Sequence, residues 1–82
     1  MAIGTELRRV RTAQNRSVLS VAESLGVHPQ TIRYAEREQR EVNSGILLRW
    51  AGELGYALTL KPIEGGPEIR VEPLSAQFQA TP

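Results

Sequence analysis

Apolar residues recur at helical spacing over the first two thirds of the chain, and they alternate with polar residues afterwards. The helical spacing predicts four helices, at about residues 4–14, 18–25, 28–37 and 45–54. Residues 56–61 alternate, are rich in strand-forming types and stop before Pro62, so they predict a β-strand. The pattern therefore indicates a mainly α fold of four helices with a C-terminal β-strand or hairpin.

A short turn joins the second and third predicted helices. Ser17 can cap the helix at 18–25 by accepting hydrogen bonds from free backbone N–H groups. Gly26 stands where this helix must stop, because a residue without Cβ adopts left-handed geometry at little cost. His28 is the predicted cap of the next helix, since Pro29 suits the first helical position. Two helices joined so tightly are typical of a helix-turn-helix motif, whose second helix enters the DNA major groove.

The second and third helices are predicted to cross closely at Ala22, which is small. The inward positions of the two helices and their turn are Val21, Ala22, Leu25, Val27, Ile32 and Ala35. The outward positions of the third helix are rich in donors and lack a carboxylate; they are Gln30, Thr31, Arg33, Tyr34 and Arg37. This division predicts one face for packing and one for a partner.

The first and fourth helices also have one predicted inner face each. The inward positions are Ile3, Leu7 and Val10 in the first helix and Leu47, Trp50, Ala51 and Leu54 in the fourth. Asn15 can end the first helix in left-handed geometry, while Ser44 and Gly55 bound the fourth. We expect Trp50 to be a core residue rather than a platform for base stacking.

Residues 3–55 resemble the Xre/Cro type of helix-turn-helix DNA-binding domain, found in phage repressors, plasmid regulators and antitoxins. Three motifs carry the resemblance: S-x-x-x-V-A-x-x-L-G-V at Ser17 to Val27, T-I-x-x-A-E at Thr31 to Glu36, and S-x-x-L-L-x-x-A-x-x-L-G at Ser44 to Gly55. The resemblance implies that Arg11 pairs with Glu36 and keeps donors near a phosphate. The alternative is two independent surface charges.

Two positions differ from the residues usual in this family. Arg16 stands where an apolar residue is usual, and Val18 stands where a glutamine normally contacts a phosphate. The prediction of DNA binding therefore depends more on Gln30, Arg33 and the later phosphate contacts.

The predicted base contacts lie on the third helix. Gln30 can bind adenine bidentately and Arg33 can bind guanine. Pro29 and Tyr34 can contact thymine methyl groups, although the Tyr34 hydroxyl could instead bind a phosphate. For His28, a plain helix cap is the alternative to a phosphate contact. The predicted phosphate-binding residues are Arg11, Arg16, Ser17, His28, Thr31, Arg37, Arg40, Asn43 and Ser44.

The chain divides into a predicted DNA-binding domain at 1–55, a dimerisation element at 56–72 and a flexible tail at 73–82. Since a lone strand leaves its backbone groups unpaired, two arrangements are open. In one, the strand pairs with its copy in a second subunit through Tyr56, Ala57, Leu58, Thr59, Leu60 and Lys61. In the other, residues 64–67 turn the chain so that Ile69, Val71 and Leu74 form a second strand. Both together would produce a four-stranded dimer sheet. Phe78 could anchor the tail.

Composition limits the other classes of function. The 82 residues suit one small domain, for which a partner subunit adds stability. Residues 1–61 contain nine basic and six acidic residues, and nine of the ten cations in the chain are arginines. There is no cysteine, no aspartate and one histidine, so an enzyme, a metal site or a cofactor site is not expected. Without a long apolar run or signal peptide, we expect a cytoplasmic, nucleoid-associated protein of prokaryotic, phage or mobile-element type.

These features favour a regulator that binds a double-stranded DNA operator as a homodimer, with a palindromic or near-palindromic site. Repression is the commonest outcome in the family, and some relatives activate. An alternative is an antitoxin that binds DNA and neutralises a toxin or other partner protein through its strand or acidic end. A protein-only adaptor is a further alternative.

Overall fold

The computed structural model describes residues 2–72 of the chain. Over this range it contains four helices and two antiparallel strands. The elements are α1 at Ile3–Ala13, α2 at Val18–Leu25, α3 at Pro29–Glu36, α4 at Ser44–Glu53, β1 at Leu58–Leu60 and β2 at Ile69–Val71. The predicted fold class is therefore confirmed, with the hairpin formed within a single chain. The predicted tail at 73–82, including Leu74 and Phe78, lies outside the described residues.

The caps predicted for α2 and α3 are confirmed. The Ser17 hydroxyl accepts a hydrogen bond from the Ser20 N–H at 3.0 Å, and His28 Nδ1 accepts one from the Gln30 N–H at 3.1 Å. Gly26 ends α2 in left-handed geometry with a φ of 70°. Asn15 has a φ of 57° after α1, also as predicted. The turn between α2 and α3 thus forms from residues that are neighbours in sequence.

The cap of α4 is Asn43, so the prediction of Ser44 was wrong. Asn43 Oδ1 accepts a hydrogen bond from the Ile46 N–H at 2.9 Å. Asn43 has extended backbone geometry, with a φ of −68° and a ψ of 162°, whereas Ser44 is already the first helical residue. A capping side chain must stand just outside the helix to reach the N–H groups of its first turn, and here only Asn43 does.

The core lies where α2 and α3 cross and where α1 and α4 pack against them. Its buried residues are Leu7, Val21, Ala22, Leu25, Ile32, Ala35, Trp50, Ala51 and Leu54. Except for Ile3, the predicted inner faces are confirmed, and so is the core position of Trp50. Val10, Val27 and Leu47 are partly buried against this core. Ile3 is 44% exposed, because it begins α1 at the edge of the bundle, so its predicted core position was wrong.

The start of α1 is held against the end of α3. Gly4 is buried there, and a Cβ at this position would clash with the carbonyl oxygen of Ala35. Beside it, Glu38 accepts hydrogen bonds from the backbone N–H and the hydroxyl of Thr5, at 2.8 and 2.9 Å. The carboxylate thereby caps α1 at the end where the helix dipole favours negative charge.

The hairpin has one apolar face. Leu58 pairs with Val71 and Leu60 pairs with Ile69, whereas Thr59 pairs with Arg70 on the opposite face. Leu58 and Val71 are half-buried, but Leu60 and Ile69 are each 61% exposed. An apolar strip therefore extends from the helical domain to the outer end of the hairpin.

The first strand is shorter than predicted. The expected strand covered residues 56–61, but β1 contains only Leu58–Leu60. Tyr56 donates its backbone N–H to the Ala51 carbonyl at 2.8 Å, so it belongs to the end of α4 rather than to the sheet. After Lys61, Pro62 starts the connection to β2, and its carbonyl accepts a hydrogen bond from the Gly65 N–H.

Candidate nucleic-acid interface

The outer face of α3 is the centre of the candidate interface. Gln30, Arg33 and Arg37 are exposed, as predicted from their spacing. Three further residues that were predicted on this face or at its start are half-buried: Pro29, Thr31 and Tyr34. The helix and its C-cap residue, Arg37, therefore present an amide and two guanidinium groups to solvent, all of which can donate hydrogen bonds.

The single carboxylate of α3 points away from this face. Glu36 is 5% exposed and accepts hydrogen bonds from Arg11, at 2.7 Å from Nε and 2.9 Å from Nη2. The predicted ion pair between the two residues is confirmed. The hydrogen bond with Glu36 raises the pKa of Arg11 above its ordinary value. The negative charge of α3 is therefore neutralised inside the domain, and its outer face is left cationic.

All three guanidinium nitrogens of Arg11 donate hydrogen bonds within the domain. Besides its two bonds with Glu36, it donates from Nη1 to the carbonyl oxygen of Arg16 at 2.6 Å, and the residue is 9% exposed. Its contacts join α1, α3 and the turn before α2. The structure thus places Arg11 behind the interface, where it orients α3, and not on the exposed face.

Arg16 is also engaged within the domain. Its guanidinium lies 3.0 Å from a carboxylate oxygen of Glu53 and donates to the Ser20 hydroxyl at 3.1 Å. This explains how an arginine replaces the apolar residue usual at this position: it joins α2 to the end of α4. These contacts occupy the side chain that was predicted to bind a phosphate.

A cleft of about 280 Å³ runs along one side of α3. Its lining residues are Gln30, Thr31, Tyr34, Arg40, Glu41 and Val42. Arg40 lies over the ring of Tyr34, with its guanidinium carbon 5.2 Å from the ring centre. The stacking holds an exposed positive charge beside the predicted base contacts. Two residues expected from the sequence to bind DNA are thus brought together by the loop after α3.

A second cleft, of about 150 Å³, lies on the other side of α3. It is lined by Arg8, Arg11, Val18, Arg33, Glu36 and Arg37. Arg8 was not predicted to belong to the interface. It lies one helical turn before Arg11, so the implied pairing of Arg11 with Glu36 was a signal that could have placed it beside α3. Exposed guanidinium groups from two helices therefore meet here.

The remaining predicted phosphate contacts are at the starts of helices. Ser17, His28 and Asn43 each use a side-chain acceptor to cap a helix. Ser44 is exposed in the first turn of α4. Helix starts leave backbone N–H groups that can bind an anion. These four residues thus stand at the starts of α2, α3 and α4, outside the outer face of α3.

The comparison with known families agrees with this geometry. A family model described as helix-turn-helix matches residues 7–61, which include most of α1, all of α2 to α4 and β1. The chain belongs to the Xre/Cro-type helix-turn-helix family. No curated protein and no solved structure matches the chain. Because members of this helix-turn-helix family are DNA-binding regulators, the outer face of α3 is the candidate DNA-binding surface.

Residues 2–72 contain neither a helix that could span a membrane nor a candidate metal site. None of the helices in this range is long and apolar enough to cross a membrane. The same residues contain no group of three or more His, Cys, Asp or Glu side chains placed to hold a metal ion.

Proposed function

We propose that this Xre/Cro-type protein is a sequence-specific transcriptional regulator, most simply a repressor, that inserts α3 into the major groove of double-stranded DNA. The observation that carries the proposal is the charge distribution of α3. Its carboxylate, Glu36, is buried against Arg11, while Arg33 and Arg37 are exposed. A negatively charged DNA backbone therefore meets no exposed carboxylate on this helix.

In this proposal two residues determine most of the sequence preference. Arg33 binds the O6 and N7 atoms of a guanine, and Gln30 binds the N6 and N7 atoms of an adenine. Pro29 at the start of α3 and Tyr34 near its end supply apolar contact to thymine methyl groups. Both residues are half-buried, so part of each side chain remains accessible to a base.

The two clefts beside α3 suit the two DNA strands that border a major groove. Arg8 and Arg37 bind phosphates on one side and Arg40 on the other, with Thr31 and His28 near the start of α3. Ser17, Asn43 and Ser44 offer helix starts to phosphates. We assign Arg11 and Arg16 a positioning role instead, since their guanidinium groups are bound within the domain.

We further propose that the hairpin forms a dimer. Within residues 2–72, β1 pairs with β2 on one edge only, and an exposed edge strand can pair with a second copy. Antiparallel pairing of β1 with its copy would produce a four-stranded sheet around a twofold axis. The operator would then be palindromic, with half-sites about 34–36 Å apart on one face of the DNA. Occupancy of such a site in a promoter would repress transcription. A cytoplasmic, nucleoid-associated location belongs to the same proposal.

The test is selection of bound duplexes from a random library, followed by binding titrations of three variants. Inverted half-sites are expected. Arg33→Ala should lose about 1–3 kcal/mol at one base step and relax the preference there. Arg40→Ala should weaken all duplexes alike and lower the salt slope by about one unit.

Arg9→Ala is the matched control, because Arg9 is an exposed arginine that pairs with Glu6 on α1 and lines neither cleft. It should bind DNA almost like the unmodified protein. Selection without enrichment of any sequence, or Arg33→Ala binding indistinguishable from Arg9→Ala, would overturn the proposed function.

A further inference from the structure

The chain leaves α3 through a left-handed turn that is centred on a glutamate. Glu38 stands just beyond the C-cap of α3 and has a φ of 61°. Its N–H donates to the Ala35 carbonyl at 3.1 Å, and the next N–H, of Gln39, donates to the Tyr34 carbonyl at 2.9 Å. These two bonds form a Schellman motif, whose left-handed position is usually a glycine because a side chain is strained there. Glu38 therefore needs an interaction that compensates for this strain.

The compensating interaction comes from the start of α1. One carboxylate oxygen of Glu38 accepts hydrogen bonds from the backbone N–H and the hydroxyl of Thr5, at 2.8 and 2.9 Å. The first N–H groups of a helix have no acceptor within the helix, and Ala2, just before α1, has no capping side chain. An ionised acceptor also makes stronger hydrogen bonds than a neutral one. The left-handed turn and the start of α1 therefore hold each other in place.

The same turn sets the position of Arg40, two residues later. The Arg40 N–H donates to the Tyr34 carbonyl at 3.4 Å, and the Arg40 guanidinium carbon lies 5.2 Å from the centre of the Tyr34 ring. The backbone and the side chain of Arg40 are thus both held against one residue of α3. If Glu38 left the left-handed conformation, the chain would leave α3 in another direction, and Arg40 would lose both contacts.

We propose that Glu38 is a positioning residue for the DNA contact of Arg40. By binding Thr5, it keeps the turn after α3 left-handed, and the turn keeps Arg40 stacked on Tyr34, where the guanidinium group binds a phosphate. Glu38 itself does not bind DNA, since phosphates repel its carboxylate. The part of this inference that concerns DNA rests on the proposed function, whereas the stacking of Arg40 is a property of the free protein.

Three substitutions of Glu38 separate the turn from the charge, because each removes the same negative charge. Glu38→Ala loses the acceptor for Thr5 and keeps a Cβ, so the left-handed turn is strained without compensation. Glu38→Gly loses the acceptor but adopts the turn easily, and Glu38→Gln keeps an oxygen that can accept from Thr5. Asn15→Ala is the matched control. Asn15 is the other non-glycine residue of 2–72 with a positive φ, 57°, and it lines neither cleft beside α3.

The position of Arg40 is measured by NMR on the full chain without DNA, because the ring current of Tyr34 shifts the stacked Arg40 side-chain protons upfield. We expect Glu38→Ala to lose most of this shift, and Glu38→Gly, Glu38→Gln and Asn15→Ala to retain it. Thr5→Val, which removes only the hydroxyl donor, should lose part of it and replaces Glu38→Ala if that variant does not fold. An unchanged shift in the variant used, or an equal loss in Glu38→Gly and Glu38→Ala, would overturn the proposal.

The effect on DNA is measured separately, with a selected duplex and at a temperature at which every variant is folded. We expect Glu38→Ala to lower the salt slope by about one unit, as Arg40→Ala does, and to keep the base preference. In the Arg40→Ala background, Glu38→Ala should not lower the slope again, a result that a purely structural role would not produce.

Two results would reject the role of Glu38 in DNA binding: a salt slope that Glu38→Ala leaves unchanged, or one that it lowers equally with and without Arg40. Failure of the unmodified protein to bind any duplex would instead reject the proposed function. The NMR shifts of the free protein would then still decide whether Glu38 positions Arg40.

Discussion

Glu36 and Arg11 form a bidentate ion pair that is almost closed to solvent, with side-chain exposures of 4% and 11%. Replacing Glu36 by Gln keeps the shape but leaves the guanidinium of Arg11 buried without a countercharge. We expect Glu36→Gln to lower the free energy of unfolding by about 3–5 kcal/mol, measured by urea denaturation.

The pair Glu6 and Arg9 supplies the control for this measurement. It is also an arginine–glutamate pair, but the Arg9 side chain is 69% exposed and the contact spans one helical turn. Glu6→Gln should therefore change the free energy of unfolding by no more than about 0.5 kcal/mol. Similar losses in Glu6→Gln and Glu36→Gln would contradict a special contribution of the buried pair.

Two glycines in helices should respond in opposite ways to alanine. Gly4→Ala places a methyl group against the Ala35 carbonyl and should destabilise the domain by about 1–3 kcal/mol, because α1 must move away from α3. Gly52 lies in α4 with open space around it, so Gly52→Ala should stabilise by up to about 1 kcal/mol. Thermal unfolding of both variants measures the difference. A stabilising Gly4→Ala would show that the two helices do not approach this closely.

Asn43 and Ser44 can be tested separately as the cap of α4. Asn43→Ala removes the acceptor of the Ile46 N–H and should cost about 1 kcal/mol in urea denaturation. Ser44→Ala should change stability by less than about 0.5 kcal/mol, since Ser44 is an exposed residue inside the first turn. A larger loss of stability in Ser44→Ala than in Asn43→Ala would show that Ser44 is the cap.

The proposed dimer depends on the outer part of the hairpin. Leu60→Glu places a charge on its exposed apolar face, and we expect at least a tenfold weaker dimer, about 1.4 kcal/mol, in sedimentation equilibrium. Ile63→Glu is the matched control, because Ile63 is fully exposed in the connection between the strands. Its mass should equal that of the unmodified protein at each concentration. A monomeric unmodified protein would refute dimerisation through the hairpin.

Features that depend on neighbouring residues could be predicted well. Ser17, Gly26 and Pro29 indicated the helix-turn-helix boundaries because each acts on backbone groups within a few positions. The cap at Ser44 was misplaced by one residue, since Asn43 and Ser44 are both good capping residues and only the backbone geometry distinguishes them. The strand was predicted too long for a similar reason. The Tyr56 N–H can either complete α4 or join the sheet, and the local sequence does not distinguish these two arrangements.

Contacts between distant residues were decided by the packing. Glu38 caps α1 from 33 positions away, and nothing in the polar connection after α3 indicated a helix start as its partner. Arg16 is paired with Glu53 because α4 packs against α2, and Arg8 lines the same cleft as Arg33 because α1 packs against α3. Of these side chains only Arg16 had a predicted role, that of binding a phosphate, whereas Glu38 and Arg8 were assigned none.

The four helices, the turn between α2 and α3, the family and the residues on the outer face of α3 could all be predicted from the order of residues along the chain. Periodicity and capping suffice for these features because they depend on backbone geometry over a few residues. Three features became visible only in the folded protein: which arginines remain exposed, the pairing of β1 with β2, and the lack of an acceptor for Trp50 Nε1 within residues 2–72. Charge neutralisation and hydrogen bonding depend on which groups come into contact after folding. The spacing of residues along the chain does not specify these contacts.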